Sequence, residues 1–204
     1  MKQKYSSVGK FSAETSAASS APSSASPSGE DTGRSAASIF TSLLLSFGVS
    51  DAVVCPGSRN GALVHNLYCC QPQLSVWPVT DERSAGFVAL GIALRTGRTT
   101  VVCVTSGSAL LNVLPAVAEA YYQHVPLLVV SADRPEMLLG QLDGQTLPQI
   151  GALQPYTPTI QLPELRSEAD AWHCNRLMNE ALLSTRRHGG RPAHINIPLT
   201  PPLF

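Results

Sequence analysis

Two apolar runs, TTVVCVTS at 99–106 and PLLVVSA at 126–132, most constrain what this chain can fold into. Neither alternates apolar with polar residues. A strand that is apolar on both faces must be covered on both, and sheets of that kind are parallel, with helices as crossovers. The segment between the runs suits such a crossover. It opens at Gly107 and continues as SALLNVLPAVAEAYYQH, a helix that Pro115 should kink.

The alternation extends in both directions. SAASIFTSLLLSF at 35–47 places Ile39, Leu43, Leu44 and Phe47 on one helical face, and Gly48 ends it. DAVVCPG then reads as a strand stopped by Pro56-Gly57, and 60–70 as a short helix. LSVWPVT at 74–80 is a strand containing a proline, hence one at or near an edge. Residues 81–97 read as a helix capped by Asp81 and stopped by Gly97. Beyond the second apolar run, 136–156 is irregular, with Gly140, Gly144, Pro148 and Gly151, and 157–162 reads as a strand. A long amphipathic helix follows at 167–187, with Trp172, Leu177, Ala181 and Leu182 expected inward, then a last strand at 191–199. The predicted fold is α/β: a three-layer sandwich whose mostly parallel central sheet of about six strands is covered by helices on both faces.

This fold occupies 34–204. Ahead of it, 13 of the 17 residues at 12–28 are Ser or Ala, too little apolar area to offset the entropy of ordering, so 1–33 is predicted to be a flexible tail. A Ser-rich leader is also compatible with an organelle transit peptide, but Glu14, Glu30 and Asp31 weigh against that. Lys plus Arg and Asp plus Glu both number 14, a balance that argues against a nucleic-acid partner. No apolar run reaches the roughly 18 residues of a membrane span. The five cysteines are odd in number and form no CxxC pair, so neither a disulfide framework nor a structural zinc site is expected. A reducing, cytoplasmic setting follows. His65, His124, His173, His188 and His194 share no ligand-like spacing; they read as structural or solvent-facing, and no metal ligand is assigned. Trp172 and the Tyr121-Tyr122 pair read as core or interface packing.

Ligands of open α/β sheets sit beyond the carboxyl ends of the strands. Four such ends carry Gly57-Ser58-Arg59, Asp81-Glu82-Arg83, Ser106-Gly107-Ser108 and Asp133-Arg134-Pro135. Each alone reads equally as turn chemistry; the four together converge on one edge.

Taken in order, CPGSRN (55–60), TDERSAGFVALGIAL (80–94), VTSGSALLNVLPAVAEA (104–120), SADRPEML (131–138), GQTLPQIG (144–151) and HINIPLTPPL (194–203) resemble the amino-terminal, pyrimidine-binding domain of thiamine-diphosphate enzymes. Within that superfamily the resemblance is to the menaquinone-pathway synthases. It implies thiamine diphosphate and Mg2+ as cofactors. It also implies decarboxylation of 2-oxoglutarate and addition of the succinyl carbanion equivalent to isochorismate, at a site shared with a second subunit.

Position by position, the resemblance makes Glu82 the cofactor-activating glutamate, which hydrogen-bonds the aminopyrimidine ring. A carboxyl group suits that role if it can share a proton with a ring nitrogen. Burial, allowed by the apolar neighbours Phe87, Val88 and Leu90, favours the protonated group, while a helix start favours the carboxylate; both stay open. The alternative reading of Glu82 is a first-turn glutamate facing the helix dipole. Arg59 and Arg134 match arginines used for substrate carboxylates, the alternative being ion pairs with Asp81 or Asp133. Ser58 and Gln145 match polar contacts near cofactor and substrate. Gly144 stands where the family usually has asparagine. Ser106 and Gly107 open a helix where free N–H groups could serve the cofactor. The family's GDG motif for metal and diphosphate is absent, which implies an isolated first domain, inactive alone. A small subunit of a split thiamine-diphosphate decarboxylase and a non-catalytic binding module are the alternatives.

Overall fold

The computed structural model describes residues 35–200. The expected tail lies outside them. In chain order the elements are α1 (Ala36–Phe47), β1 (Asp51–Val54), α2 (Gly61–Cys69), β2 (Ser75–Pro78), α3 (Glu82–Thr96), β3 (Thr100–Val104), α4 (Ser108–Asn112), α5 (Leu114–Tyr122), β4 (Leu127–Asp133), β5 (Thr159–Gln161), α6 (Glu168–Ser184) and β6 (Ala193–Pro198). The six strands form one sheet in the order β2-β1-β3-β4-β6-β5, every pair parallel. The predicted class holds, and β2, with its proline, is an edge strand as expected.

The period of two along each strand divides the core. Ala52, Val54, Val101, Cys103, Leu128 and Val130 face α1, α2 and α6. Val53, Cys55, Val102, Val104 and Val129 face α3, α4 and α5. Local chemistry sets the helix ends. Ser35 and Ser38 form a reciprocal capping box on α1, and Gly48 closes it at φ 78°, where a side chain would be strained. Asp81 accepts the Ser84 N–H at 2.9 Å to start α3.

Three expectations are corrected. The helix expected to kink at Pro115 is two helices, broken at Val113; Pro115 sits in the first turn of α5, where its missing N–H costs nothing. Trp172 does not point inward: it is 68% exposed. The buried stripe of α6 is Ala171, Cys174, Met178, Ala181 and Leu182, and Trp172 lies about 100° around the helix from its neighbour Ala171. Tyr122 is likewise exposed, its ring meeting Tyr121 edge-on at 5.4 Å, so of the core and interface readings of this residue the core one is dropped.

On the α3–α5 side, the outer rows of the sheet turn polar. Ser131 and Asp133 of β4, His194 and Asn196 of β6, and Thr159 and Gln161 of β5 alternate with apolar residues facing the other side. The loop after β4 lays Gln149 and Leu153, both buried, over this side. His194 is fully buried between Ser131 Oγ at 2.8 Å and Thr159 Oγ1 at 3.0 Å. Ser131 donates to Asn196 and Thr159 accepts from Gly151 N–H, which assigns the proton to His194 Nε2 and leaves Nδ1 as acceptor.

Burial pushes the His194 pKa down to about 3. The unfolded chain takes up this proton near the ordinary pKa of about 6.5, whereas the folded chain does not. His194 therefore leaves stability intact above that pH and erodes it progressively as pH falls toward the folded value. Between pH 7 and 5 its contribution to the loss is expected to be about 2 kcal/mol. Urea unfolding at both pH values should show a difference of that size between wild type and His194→Gln; parallel pH profiles would contradict it.

Candidate active site

The strand order reverses between β1 and β3, which in open α/β sheets is where a ligand crevice forms beyond the carboxyl ends of the strands. The loops that follow β1 and β3 touch at their bases. A Cβ on Gly57, after β1, would sit 2.6 Å from Thr105 Cβ, after β3, so only glycine permits this approach. Gly107 stands at φ 82° and ψ −138°, a region essentially reserved for glycine, and a Cβ there would lie 2.9 Å from the Gln145 backbone. The β4 loop thus packs directly on the β3 loop.

Glu82 is the first residue of α3, half-buried at the same edge. It faces the base of the β1 loop: burial, then the Glu82 charge, push the Cys55 thiol up to about 12. The apolar shielding expected from its neighbours is only partial. Leu90 is buried, but Phe87 and Val88 are 45% and 41% exposed, because the inward face of α3 is Ala85, Gly86, Ala89, Leu90 and Ala93. Ser106 is buried, and its hydroxyl has no hydrogen-bond partner. Gly107 differs from expectation. Its N–H is not free but donates to Gln149 Oε1 at 2.7 Å, and the helix it opens, α4, has only five residues.

The charges of Arg59 and Arg134 bear on one another. Arg59 is buried and donates from Nη1 to the Leu199 carbonyl at 2.8 Å. Burial, then the neighbouring Arg134 charge, pull its pKa down, while Asp143 and Asp133 oppose them. Arg134 pairs with Asp143 at 2.8 Å, not with Asp81 or Asp133; Asp133 instead accepts the Arg134 backbone N–H at 2.8 Å. The Arg134 Nε is buried without a partner, so part of the guanidinium fork is unused. Two arginines whose charges oppose one another suit an anion, since a carboxylate would offset the cost that each imposes on the other. Ser58 and Gln145 are exposed at the rim, Gln145 at φ 57°. Gly144 faces open space: a Cβ there would meet nothing within 4 Å.

Three residues of this site were not among those expected: Asp143, Gln149 and Asn196. Asn196 had a legible signal. It shares a face with His194 in an otherwise apolar strand, and two buried polar side chains at that spacing require partners. Among the described residues no His, Cys, Asp and Glu side chains group as a metal site, and no helix is long and apolar enough to cross a membrane. A cavity of about 450 Å3 lined by Arg98, His124, Pro126, Thr185 and Gly190, among others, shares none of the site residues.

The chain is similar to known proteins over most of its length. The family model described as thiamine pyrophosphate enzyme, N-terminal TPP binding domain, matches residues 34–155. A 2-succinyl-5-enolpyruvyl-6-hydroxy-3-cyclohexene-1-carboxylate synthase of Bacteroides thetaiotaomicron is 54% identical over 164 residues, covering 80% of this chain and 29% of that protein. The synthase of the same name from Phocaeicola vulgatus is 54% identical over 166 residues, with the same coverage. That of Porphyromonas gingivalis is 38% identical over 173 residues, 84% of this chain and 30% of its own length. The chain spans less than a third of the curated relatives it matches.

Proposed function

The chain belongs to the thiamine pyrophosphate enzymes through their N-terminal TPP binding domain, and from that premise we propose that it supplies the pyrimidine-side half of a synthase active site. The reaction is the decarboxylation of 2-oxoglutarate and the addition of its succinyl unit to isochorismate. Mg2+ and the cofactor diphosphate are held by a further domain, and the site is completed by a second subunit in the cytoplasm. The observation that carries this reading is the gathering of Glu82, Ser106, Arg59 and Arg134 at one sheet edge, with the charges of the two arginines bearing on one another.

The residues fit the cofactor. The Ser106 hydroxyl is buried and unpartnered, and the glycines at 57 and 107 let the neighbouring loops close directly on Thr105 and Gln145. Thiamine diphosphate, when bound, supplies a thiazolium carbon acidic enough to become a nucleophile. Glu82 would hold and return one proton at the aminopyrimidine nitrogen, its carboxyl being the acid–base group of this half-site. Ser106 would satisfy a polar atom of the ring. Arg59 and Arg134 would orient the substrate carboxylates, the Arg134 fork exchanging Asp143 for substrate.

Two tests apply. The chain alone, given both cofactors and both substrates, should show no turnover. A chimaera in which residues 35–200 replace the matching segment of the Bacteroides thetaiotaomicron synthase should show it. Turnover by the chain alone, or a folded, cofactor-binding but inert chimaera, would contradict the proposal. In that chimaera Arg59→Ala and Arg134→Ala should each raise KM for the anionic substrates about 10–150-fold, the worth of a charge-assisted hydrogen bond of about 1.5–3 kcal/mol. An unchanged KM would remove the arginines from the substrate site.

A further inference from the structure

On the β3 side of the crevice a file of hydrogen bonds runs from the loop after β3 to the end of β4, with branches from Gln149 Nε2 to the Ala132 carbonyl and from Asn196 Nδ2 to Gln161 Oε1. The Gly107 N–H donates to Gln149 Oε1 at 2.7 Å, Gln149 Nε2 to Asn196 Oδ1 at 2.6 Å, and Asn196 Nδ2 to Asp133 Oδ2 at 2.6 Å. Gln149 is 1% exposed, Asn196 0% and Asp133 5%. A backbone N–H can only donate and a carboxylate can only accept, so the two ends orient both amides. Flipping either amide would set donor against donor at one end and acceptor against acceptor at the other. The Ser131 hydroxyl agrees with this direction, donating to Asn196 Oδ1 at 2.6 Å and accepting from Gln149 Nε2 at 3.3 Å. Asp133 then receives the Arg134 N–H on its second oxygen.

We infer that Gln149 is a positioning residue: with Asn196 it forms a polarised amide relay that sets the Gly107 turn and the Asp133–Arg134 turn as one unit, so that the charge state of Asp133 is felt at Gly107. The relay's value to catalysis rests on the functional reading above, in which Gly107 borders the cofactor and Arg134 the substrate; the relay itself does not. Its ends lie in the loop after β3 and at the last residue of β4, and its middle comes from the loop after β4 and from β6. Among the described residues no other side chain contacts the Gly107 N–H, so the loss of Gln149 leaves a buried donor unsatisfied beside the crevice.

Several charged groups bear on Asp133. Arg59 lies near it, Arg134 meets it through its backbone N–H, and Asp143 holds the Arg134 guanidinium. His194 is linked to it through Ser131 and Asn196. Burial pushes the Asp133 carboxyl up, against the pull of Asn196, the Arg134 N–H and Arg59. A protonated Asp133 would keep one acceptor oxygen but gain a donor, so its bond to Asn196 or to the Arg134 N–H would weaken and loosen that end of the file.

The test is NMR on the full chain, following the Gly107 amide and the Asp133 carboxyl carbon as pH falls. The Gly107 amide should inflect at the midpoint of the Asp133 titration. Gln149→Met should abolish that inflection and speed Gly107 amide exchange about 100-fold, leaving the centre of β3 unchanged. Asp133→Asn keeps an acceptor oxygen but cannot titrate, and should also abolish it should Gln149→Met not fold. Absence of the inflection in wild type, or its survival in either variant, overturns the relay. In the chimaera, Gln149→Met should raise KM for 2-oxoglutarate and the half-saturating cofactor concentration together, each about 10-fold. A change confined to one of them overturns the coupling. An inert unsubstituted chimaera would instead count against the functional reading, while the NMR result stands by itself.

Discussion

Glu82→Gln, placed in the chimaera, is expected to fold, to bind substrates with little change in KM, and to lose about 10²–10⁴-fold in turnover. Glutamine is nearly isosteric, and Glu82 makes no hydrogen bond within the described residues that glutamine would break. It begins α3 but does not cap it; Asp81 does. Helix start and packing should therefore survive. The amide can still hydrogen-bond a ring nitrogen, yet it has no proton to give and take. A fall in kcat with KM held marks a group that acts in the transition state rather than in binding. Steady-state kinetics on the chimaera and its variant check this. A kcat within a few-fold of wild type would leave Glu82 as a first-turn glutamate facing the helix dipole.

Gly190→Ala should destabilise the chain by about 3 kcal/mol or more, without touching the site. Gly190 lies at φ 123°, and a Cβ there would stand 2.2 Å from the His124 carbonyl oxygen, a backbone atom that cannot swing aside. Backbone strain of about 1–3 kcal/mol adds to a steric cost of about 1–3 kcal/mol. For a chain of this size that lowers Tm by about 6–12 °C. Gly48→Ala is the control: φ is 78°, but nothing lies within 4 Å, so only the conformational cost of about 1 kcal/mol applies. Thermal melts of the two variants should differ by several degrees. Equal melting temperatures would mean that the connection before β6 gives way more easily than its packing suggests.

What the residues disclosed and what they concealed have physical causes. The strands at 99–106 and 126–132 were legible because burial on both faces removes any choice of polarity, and their helices because Asp81, Gly48 and Gly97 mark the ends by their own chemistry. Trp172 was misplaced because a one-residue error in helical phase turns a side chain by about 100°. Pro115 was placed correctly, but its effect depended on whether a new helix could begin there. At the candidate site, the placement of Glu82, Arg59 and Arg134 at strand ends was legible from the order of elements, while the roles proposed for them come from family likeness. Asp143 and Gln149 were not. Both lie in an irregular segment, where no periodicity ties sequence to direction, and their partners, Arg134 and Gly107, lie 9 and 42 residues away.

The central claim is that Glu82 activates the cofactor. Its most direct measurement is deuterium exchange at the C2 carbon of thiamine diphosphate bound to the chimaera, since that exchange reads activation without substrate. The account predicts that Glu82→Gln slows it by about 10²-fold or more. Exchange as fast as in the unsubstituted chimaera would contradict it.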